Sequence, residues 1–401
     1  MSGERTVRIL TLNSGSSSLK FSLHELGDDE RLVMSGGLSG IGLASGSLEV
    51  TNHEGRVLVD RPQDVPDQEA AFRALFAWLE ARDSSPEPDA VGHRVVHGGG
   101  RHQGPRLVDD KLLEELKRLV PLAPDHLPRE IGVIQAARRA YGDVPHVACF
   151  DTSFHRSMPE VARLYALPRE LEQQGILRYG FHGLSYEYIT DRLRRLVGPE
   201  ADGRLVIAHL GSGASMAAVR GGRSVDTTMG FTPAGGLVMS TRCGDLDPGI
   251  VIHLLQQGGS SVSEVNELIN KKSGLLGLSG ISADMQELLR SESEEPRAAR
   301  AIELFCYQAR KYLGALATVL GGLDTLVFTA GIGENAPSIR RRICHGLEFL
   351  GVRLDLQRNE AGADVISADD ALATVRVIAT DEELMIARHA LALMRRRRES
   401  S

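Results

Sequence analysis

The spacing of hydrophobic residues in this chain changes repeatedly along its length. VRILTL, near the start, has the short apolar-rich pattern of a strand, AAFRALFAWLEAR repeats its apolar positions every third or fourth residue as an amphipathic helix does, and AVGHRVV returns to a strand pattern. Strands alternating with helices predict an α/β architecture, with sheets covered by helices. Two glycine- and serine-rich turns, in ILTLNSGSSSLKFSL and RLVIAHLGSGASMAAV, lie between strand-like runs roughly half a chain apart. They read either as an internal duplication, each half opening strand, loop, strand, or as a pair of ordinary hairpins. Residues 291–298, SESEEPRA, predict a surface turn ahead of a long helix ending near Leu320. RHALALMRRRRES predicts a last helix whose final turn, with Arg395, Arg396, Arg397 and Arg398, complements the helix dipole.

A length of 401 residues exceeds one ordinary core and predicts two domains meeting at a cleft. The hydrophobic fraction of 42% and charged fraction of 25% are those of a globular protein, and a formal charge of -7 offers nucleic acid no broad basic surface. No apolar run has the length of a secretory leader or a membrane span, so the expectation is a cytoplasmic protein with neither nucleic acid nor membrane as a partner. The four cysteines, Cys149, Cys243, Cys306 and Cys344, are scattered without CxxC spacing, which fits a reducing compartment and no structural zinc. They read as ordinary buried or half-buried thiols, with Cys243 the one of note because of its neighbours.

Seven segments carry chemical interest. Asn13-Ser14-Gly15-Ser16-Ser17-Ser18-Leu19-Lys20 combines small residues, hydroxyls and one lysine, suited to phosphate oxygens, although the Walker spacing is absent. In GHRVVHGGG, Arg94 beside glycine-exposed backbone is shaped either to grip a carboxylate with two parallel hydrogen bonds or to make an internal salt bridge. Asp151 ends the apolar strand VPHVACF, where a carboxylate either faces a cleft and holds a metal ion or caps the next turn. His182, in RYGFHG, has little local packing around it and reads as an active-site imidazole. The run from His209-Leu210-Gly211-Ser212-Gly213 to Pro248 places Asp226, Arg242, Asp245 and Asp247 among many glycines, a bed for nucleotide and metal. Gly331-Ile332-Gly333-Glu334-Asn335 follows the strand DTLVF and precedes a helix starting after Pro337. Thr380 and Glu383 have capping-box spacing, which assigns Glu383 to the helix start and leaves Glu382 free to point elsewhere.

Together NSGSSSLKFSL, GHRVVHGG, FDTSFH, RYGFHG, HLGSGAS, SVDTTMGFTPAGGL, TRCGDLDP, NKKSGLLGLSG, FTAGIGEN and TDEELMIA resemble the acetate kinase family, in order and over essentially the whole chain. The resemblance implies the actin-like ATPase fold shared with sugar kinases and Hsp70, with duplicated β-β-β-α-β-α-β-α cores flanking a nucleotide cleft. It implies an N-terminal lobe of residues 1–152 plus 384–401, and a nucleotide-binding lobe of residues 153–383. By the same similarity Arg94 binds the acyl carboxylate, and Asn13 with Glu382 holds magnesium, with manganese as the alternative. Asp151, His182 and Arg242 surround the phosphoryl group. Lys20, His209, Leu210, Gly211, Ser212, Gly213, Asp284, Met285, Gln286, Gly331, Ile332, Gly333, Glu334 and Asn335 bind ATP or ADP. Val96, Phe181 and Pro233 line a small pocket for the acetate methyl, and the molecule is a homodimer.

Four positions depart from the family's pattern. Asp125 in APDHLP stands where an apolar pocket wall is usual, Ser212 replaces asparagine, Gln286 replaces an arginine near the adenosine, and Tyr186 replaces a second histidine after GFHG. The implied reaction suits the residue types. A carboxylate acceptor with a pKa of about 4 to 5 is already ionised at neutral pH and needs no general base, so the site must instead quench repulsion between two anions. The competing readings are a propionate or butyrate kinase with the same phosphate contacts and a larger pocket, and a non-catalytic nucleotide-dependent clamp, which has no need of Arg94 or His182.

Overall fold

The computed structural model describes residues 6–15, 18–42, 45–81, 87–142 and 144–399, without the side chains of residues 398 and 399. The chain forms two compact units, Met1–Ser153 with Asp381–Ser401, and Phe154–Thr380. The return to the first unit comes at Asp381 rather than at residue 384, so Glu382 and Glu383 belong with the first unit.

The first unit is built on a sheet of β1 (Val7–Ser14), β2 (Ser18–Leu26), β3 (Glu30–Ser39), β4 (Ser47–Asn52), β5 (Val57–Pro62), β6 (Ala90–Val95), β7 (Arg106–Leu107) and β8 (His146–Phe150), in the order β5-β4-β3-β2-β1-β6-β8-β7. β1 pairs antiparallel with β2, whereas β6 runs parallel to β1 and β8 parallel to β6. Helices cover this sheet. Asp67 caps Gln68–Glu80 by accepting from the Ala70 N–H at 2.7 Å, and the apolar positions Ala71, Phe72, Leu75 and Leu79 then fall on one buried face. With Leu127–Ala140 that face packs onto Leu10, Leu12, Phe21 and Val91. The C-terminal helix Glu382–Glu399 also lies on this sheet, so close that a Cβ on Gly92 would sit 2.5 Å from Ile386 Cγ2.

In the second unit the strands are β9 (Leu205–Leu210), β10 (Ala214–Arg220), β11 (Arg223–Thr227), β12 (Thr325–Thr329) and β13 (Thr374–Val377), in the order β11-β10-β9-β12-β13. Here too the first three strands form an antiparallel meander, and the next two add in parallel beside the first. β3-β2-β1-β6-β8 and β11-β10-β9-β12-β13 are therefore the same topology. The glycine turns of the two halves are hairpins, and they are also equivalent points of a duplication. Helix Gly183–Val197 packs Tyr186, Ile189 and Leu193 against β9, β10 and β12. The long helix expected before Leu320 is Pro296–Leu320. Among the described residues no helix is long and apolar enough to cross a membrane.

Candidate active site

In the first unit the carboxyl ends of three adjacent parallel strands bring three of the expected residues together. Asn13 lies at the end of β1, Arg94 at the end of β6, and Asp151 directly after β8. Such an edge is where open α/β sheets bind ligands. Arg94 donates to Asp151 Oδ2 from Nε at 3.0 Å and from Nη2 at 2.6 Å, and to Asn13 Oδ1 from Nη1 at 3.1 Å. The Glu382 carboxylate lies 3.7 Å from the same Nη1. Arg94 is thus in an internal salt bridge, yet three of its five N–H groups are used, leaving one proton on each terminal nitrogen. That edge is the one a carboxylate takes with two parallel bonds. Burial works against the guanidinium's charge, but Asp151 and Glu382 outweigh it and push its pKa above the ordinary arginine value.

The structure corrects the capping-box reading at the last helix. Asp381, not Thr380, is the cap, with Oδ1 accepting from the Leu384 N–H at 2.8 Å. The Thr380 N–H goes to Glu334 at 3.1 Å. Glu383 is thereby released from the helix start and accepts from Asn13 Nδ2 at 3.1 Å. This bond sets the Asn13 amide, turning its NH2 to Glu383 and its oxygen to Arg94. Burial, reinforced by the charge of Glu382, raises the pKa of Glu383. Lys20 is opposite Asn13 in the β1–β2 register and lines a cavity of ≈ 440 Å³ with Ser18, Ser22, His24 and Glu383. Ser16 and Ser17, part of the expected phosphate loop, lie outside the described residues.

Val96 is buried, and its N–H donates to Glu130 Oε2 at 3.0 Å. Glu130 is itself sealed in, and desolvation pushes its carboxyl up to about 8, against the opposing pull of the Val96 bond and Arg94. The two histidines flanking Arg94 in sequence are structural. His93 shares a 3.0 Å hydrogen bond with His146, and His97 Nδ1 accepts from the Gly99 N–H at 2.9 Å, its pKa lowered to about 4 by burial.

In the second unit His182 holds a left-handed backbone, φ 59°, immediately before helix Gly183–Val197. Its ring stacks on His209 with centroids 4.1 Å apart, and its Nδ1 lies 2.8 Å from Ser215 Oγ. Ser215 also bonds the Tyr186 hydroxyl, so the tyrosine that replaces the family's second histidine belongs to the network orienting His182. Gly213 is the point where His182 and Arg242 come together. A Cβ there would lie 3.2 Å from His182 Nε2 and 3.3 Å from Arg242 Nη2, so any side chain at this position would crowd both groups. Arg242 Nη1 donates to the Pro233 carbonyl at 2.8 Å. Phe181 is buried, and its carbonyl lies 3.0 Å from His155 Nε2, while His155 Nδ1 lies 2.8 Å from Ser224 Oγ. Burial lowers His155 to about 4, which keeps this imidazole neutral.

The remaining expected nucleotide residues are spread over three segments of the second unit. His209 Nδ1 lies 2.8 Å from Ser185 Oγ, and Ser212 is exposed on the loop after β9. Asp284 caps helix Met285–Ser291 by accepting from the N–H groups of Gln286 and Glu287 at 2.8 and 3.0 Å. Glu334 Oε1 accepts from the Ala330 N–H at 2.7 Å and the Thr380 N–H at 3.1 Å, so its carboxylate braces the backbone of its own turn. Asn335 Nδ2 closes that turn on the Gly331 carbonyl at 3.0 Å. Beneath it lies Arg340, fully buried, with Nη1 donating to the carbonyls of Gly333 and Glu334 at 2.9 and 2.8 Å and the rest of the fork on Asn359. Cys243 is half-buried, and desolvation raises the pKa of its thiol.

Glu130, His155, Ser215 and Arg340 are the positioning residues that sequence reasoning left without a role, and Glu383 is one to which it gave the wrong role. Arg340 had a faint signal, an arginine followed by two more in a helix whose other buried positions are Ile339, Ile343 and Cys344. The others have none, because their partners are distant in the chain.

The family model described as the Acetokinase family matches residues 8–388. A relative from Rhodopseudomonas palustris named acetate kinase is 47% identical over 393 residues, covering 96% of this chain and 98% of the relative. Among solved structures, the acetate kinase of Porphyromonas gingivalis superimposes with a TM-score of 0.85 at 37% identity, covering 97% of this chain and 100% of that one. A propionate kinase from Francisella tularensis gives a TM-score of 0.89 at 35% identity, with coverages of 96% and 99%.

Proposed function

The chain belongs to the acetokinase family, and from that premise we propose that it moves the γ-phosphoryl group of ATP reversibly onto acetate, giving acetyl phosphate and ADP. Its fold is the actin-like ATPase fold, with one core topology in each unit. The observation that carries the reading is Arg94: a half-buried guanidinium with its charge locked on by Asp151 and one proton on each terminal nitrogen still available to a carboxylate.

The acetate oxygen attacks the γ-phosphorus in line as the bond to the β-phosphate oxygen breaks, and ADP leaves with that electron pair. No proton moves, because the acceptor is already ionised. Arg94 holds the acceptor. Arg242, anchored on the Pro233 carbonyl, and His182, braced by Ser215 and His209, supply positive and donor groups to the equatorial oxygens. If Tyr186 donates to Ser215 and Ser215 to His182 Nδ1, the ring proton is placed on Nε2, the nitrogen that faces Gly213. The Asn13 oxygen and the Glu382 carboxylate converge on one positive nitrogen, Arg94 Nη1. They are hard oxygen donors of the kind magnesium takes alongside water and phosphate. Bound there, magnesium or manganese would screen charge on the phosphates. Val96, Phe181 and Pro233 serve the acyl methyl group, and Lys20, His209 to Gly213, Asp284 to Gln286 and Gly331 to Asn335 serve the nucleotide.

Two measurements test the reading. Stereochemistry at a chiral γ-phosphorus should be inverted, and retention would replace direct transfer with a covalent phosphoenzyme on a carboxylate. Arg242→Ala should lower kcat by about 10³, with much less change in the KM for acetate. The high TM-score with a propionate kinase favours propionate as the second acceptor to test, so a chain-length series with hydroxamate trapping should peak at two carbons. A three-carbon optimum would replace acetate. Four free cysteines support a reducing cytosol. Helix Pro248–Gln256 buries none of its residues and leaves Ile250 and Ile252 exposed, which supports association as a homodimer.

A further inference from the structure

The second unit has a pocket of ≈ 410 Å³ whose lining is mostly cationic: Arg310, Arg341, Arg342, Arg353 and His345 face it with one acid, Glu348. Arg310 comes from helix Pro296–Leu320, Arg341 and Arg342 from helix Pro337–Cys344, and the others from the segment that follows. Two of the four guanidinium groups are neutralised, since Arg342 is bidentate on Glu292 at 2.5 and 2.8 Å and Arg353 pairs with Asp370. Among the described residues the other two have no carboxylate partner. Arg310 Nη2 donates to the Arg342 carbonyl at 2.5 Å, and its Nε is buried with no hydrogen-bond partner. Among the described residues the Arg341 side chain, exposed at the pocket, has neither an ion pair nor a hydrogen bond.

Nearby thiols do not supply the missing charge. Burial pushes both Cys306 and Cys344 up to about 12, so each stays a neutral thiol beside these arginines. Cationic groups gathered in a concave site, one of them exposed and unpaired, are the arrangement that an oxyanion completes. Val352, Leu354 and Leu356 add an apolar side to the pocket, which suits an anion carried on a short carbon frame.

We propose that this pocket binds a small, multiply charged oxyanion, an organic phosphate or a polycarboxylate, at a site separate from the residues assigned to acetate and nucleotide. The ion would take the Arg341 fork, in the field of the other cationic side chains that line the pocket. Nothing in this proposal depends on which carboxylate the enzyme phosphorylates.

Calorimetric titration of the full-length protein at low ionic strength without magnesium tests it, using inorganic pyrophosphate in one arm and propane-1,2,3-tricarboxylate in the other. At least one should bind saturably, one ion per chain, and the tighter arm names the chemical class. Binding should persist in Arg242→Ala, weaken about tenfold or more in Arg341→Ala, and recover in part in Arg341→Lys, as expected for loss of one charge-assisted bond. Arg341 is exposed and unpartnered, so these variants should melt at the wild-type temperature. Titrations abolished by Arg242→Ala, unchanged by Arg341→Ala, or flat with both anions in the wild type would each overturn the proposal.

Discussion

Arg94 Nη2 lies 2.6 Å from Asp151 Oδ2, and Nε shares the same oxygen at 3.0 Å, so a buried carboxylate grips one edge of the guanidinium while Asn13 takes one proton of Nη1, and one proton on each terminal nitrogen is left over. This single contact makes Arg94 both a structural ion and an available one. Without Asp151 the arginine would be a half-buried cation held only by Asn13 and a more distant Glu382.

The pair should therefore be strongly coupled. Asp151→Asn and Arg94→Gln should each destabilise the protein by about 3 kcal/mol, because each leaves the other charge uncompensated. The double variant should lose well under the sum. Urea denaturation of the four proteins measures the coupling, and additive losses would mean that the two charges do not support one another.

Glu130 predicts a pH dependence. Its carboxyl titrates near 8 in the folded protein, against an ordinary value of 4.5. The folded state thus binds the proton more tightly, so this group's contribution to stability is full below the ordinary value, is lost as pH rises toward 8, and changes no further above it. Glu130→Gln keeps an acceptor for the Val96 N–H but cannot ionise. Between pH 5 and about 9 the wild type should lose on the order of 3 kcal/mol more than this variant. Parallel curves for the two proteins would show that Glu130 is ionised throughout.

Glu383 should matter through Asn13. Glu383→Ala frees the Asn13 amide to rotate, and the magnesium concentration for half-maximal turnover should rise about tenfold or more, as when other supports of metal ligands are removed. Glu383→Gln, which still accepts from Nδ2, should restore most of it. An unaltered magnesium requirement in Glu383→Ala would leave the Asn13 bond without a functional role.

Arg340→Met strips two backbone carbonyls and Asn359 of their donors inside the fold. The expected cost is about 3 kcal/mol or more in stability. The affinity for ADP should fall while the KM for acetate stays within about twofold. Equal effects on both substrates would mean that Arg340 supports the unit in general rather than the 331–335 turn.

Much of the site could be read before any fold was known, because its chemistry sits in local segments. Asn13 and Asp151 each end an apolar run and Arg94 lies one residue from the end of β6, and a polar residue at the end of a parallel strand is placed by the strand itself. Glycines mark the turns after β1 and β9 for the same local reason. The error at the last helix was also local. Thr380 and Glu383 have the right spacing for a capping box, but Asp381 competes for the same helix start and holds it, while Glu334 takes the Thr380 N–H.

What the sequence determined by itself is the set of elements, the doubled strand-loop-strand plan and the kinds of chemistry at each turn, since these follow from periodicity and residue type over a few neighbours. Tertiary structure alone decided who meets whom: Glu130 with Val96 across 34 residues, Asn13 with Glu383 across 370, and which arginine of a run of three is buried. Adjacent helical residues point about 100° apart, and the packing of a helix against its sheet selects which one faces the site. Hydrophobic pattern states that a face is buried, but a hydrogen bond needs positions good to a fraction of an ångström, and only the assembled fold supplies them.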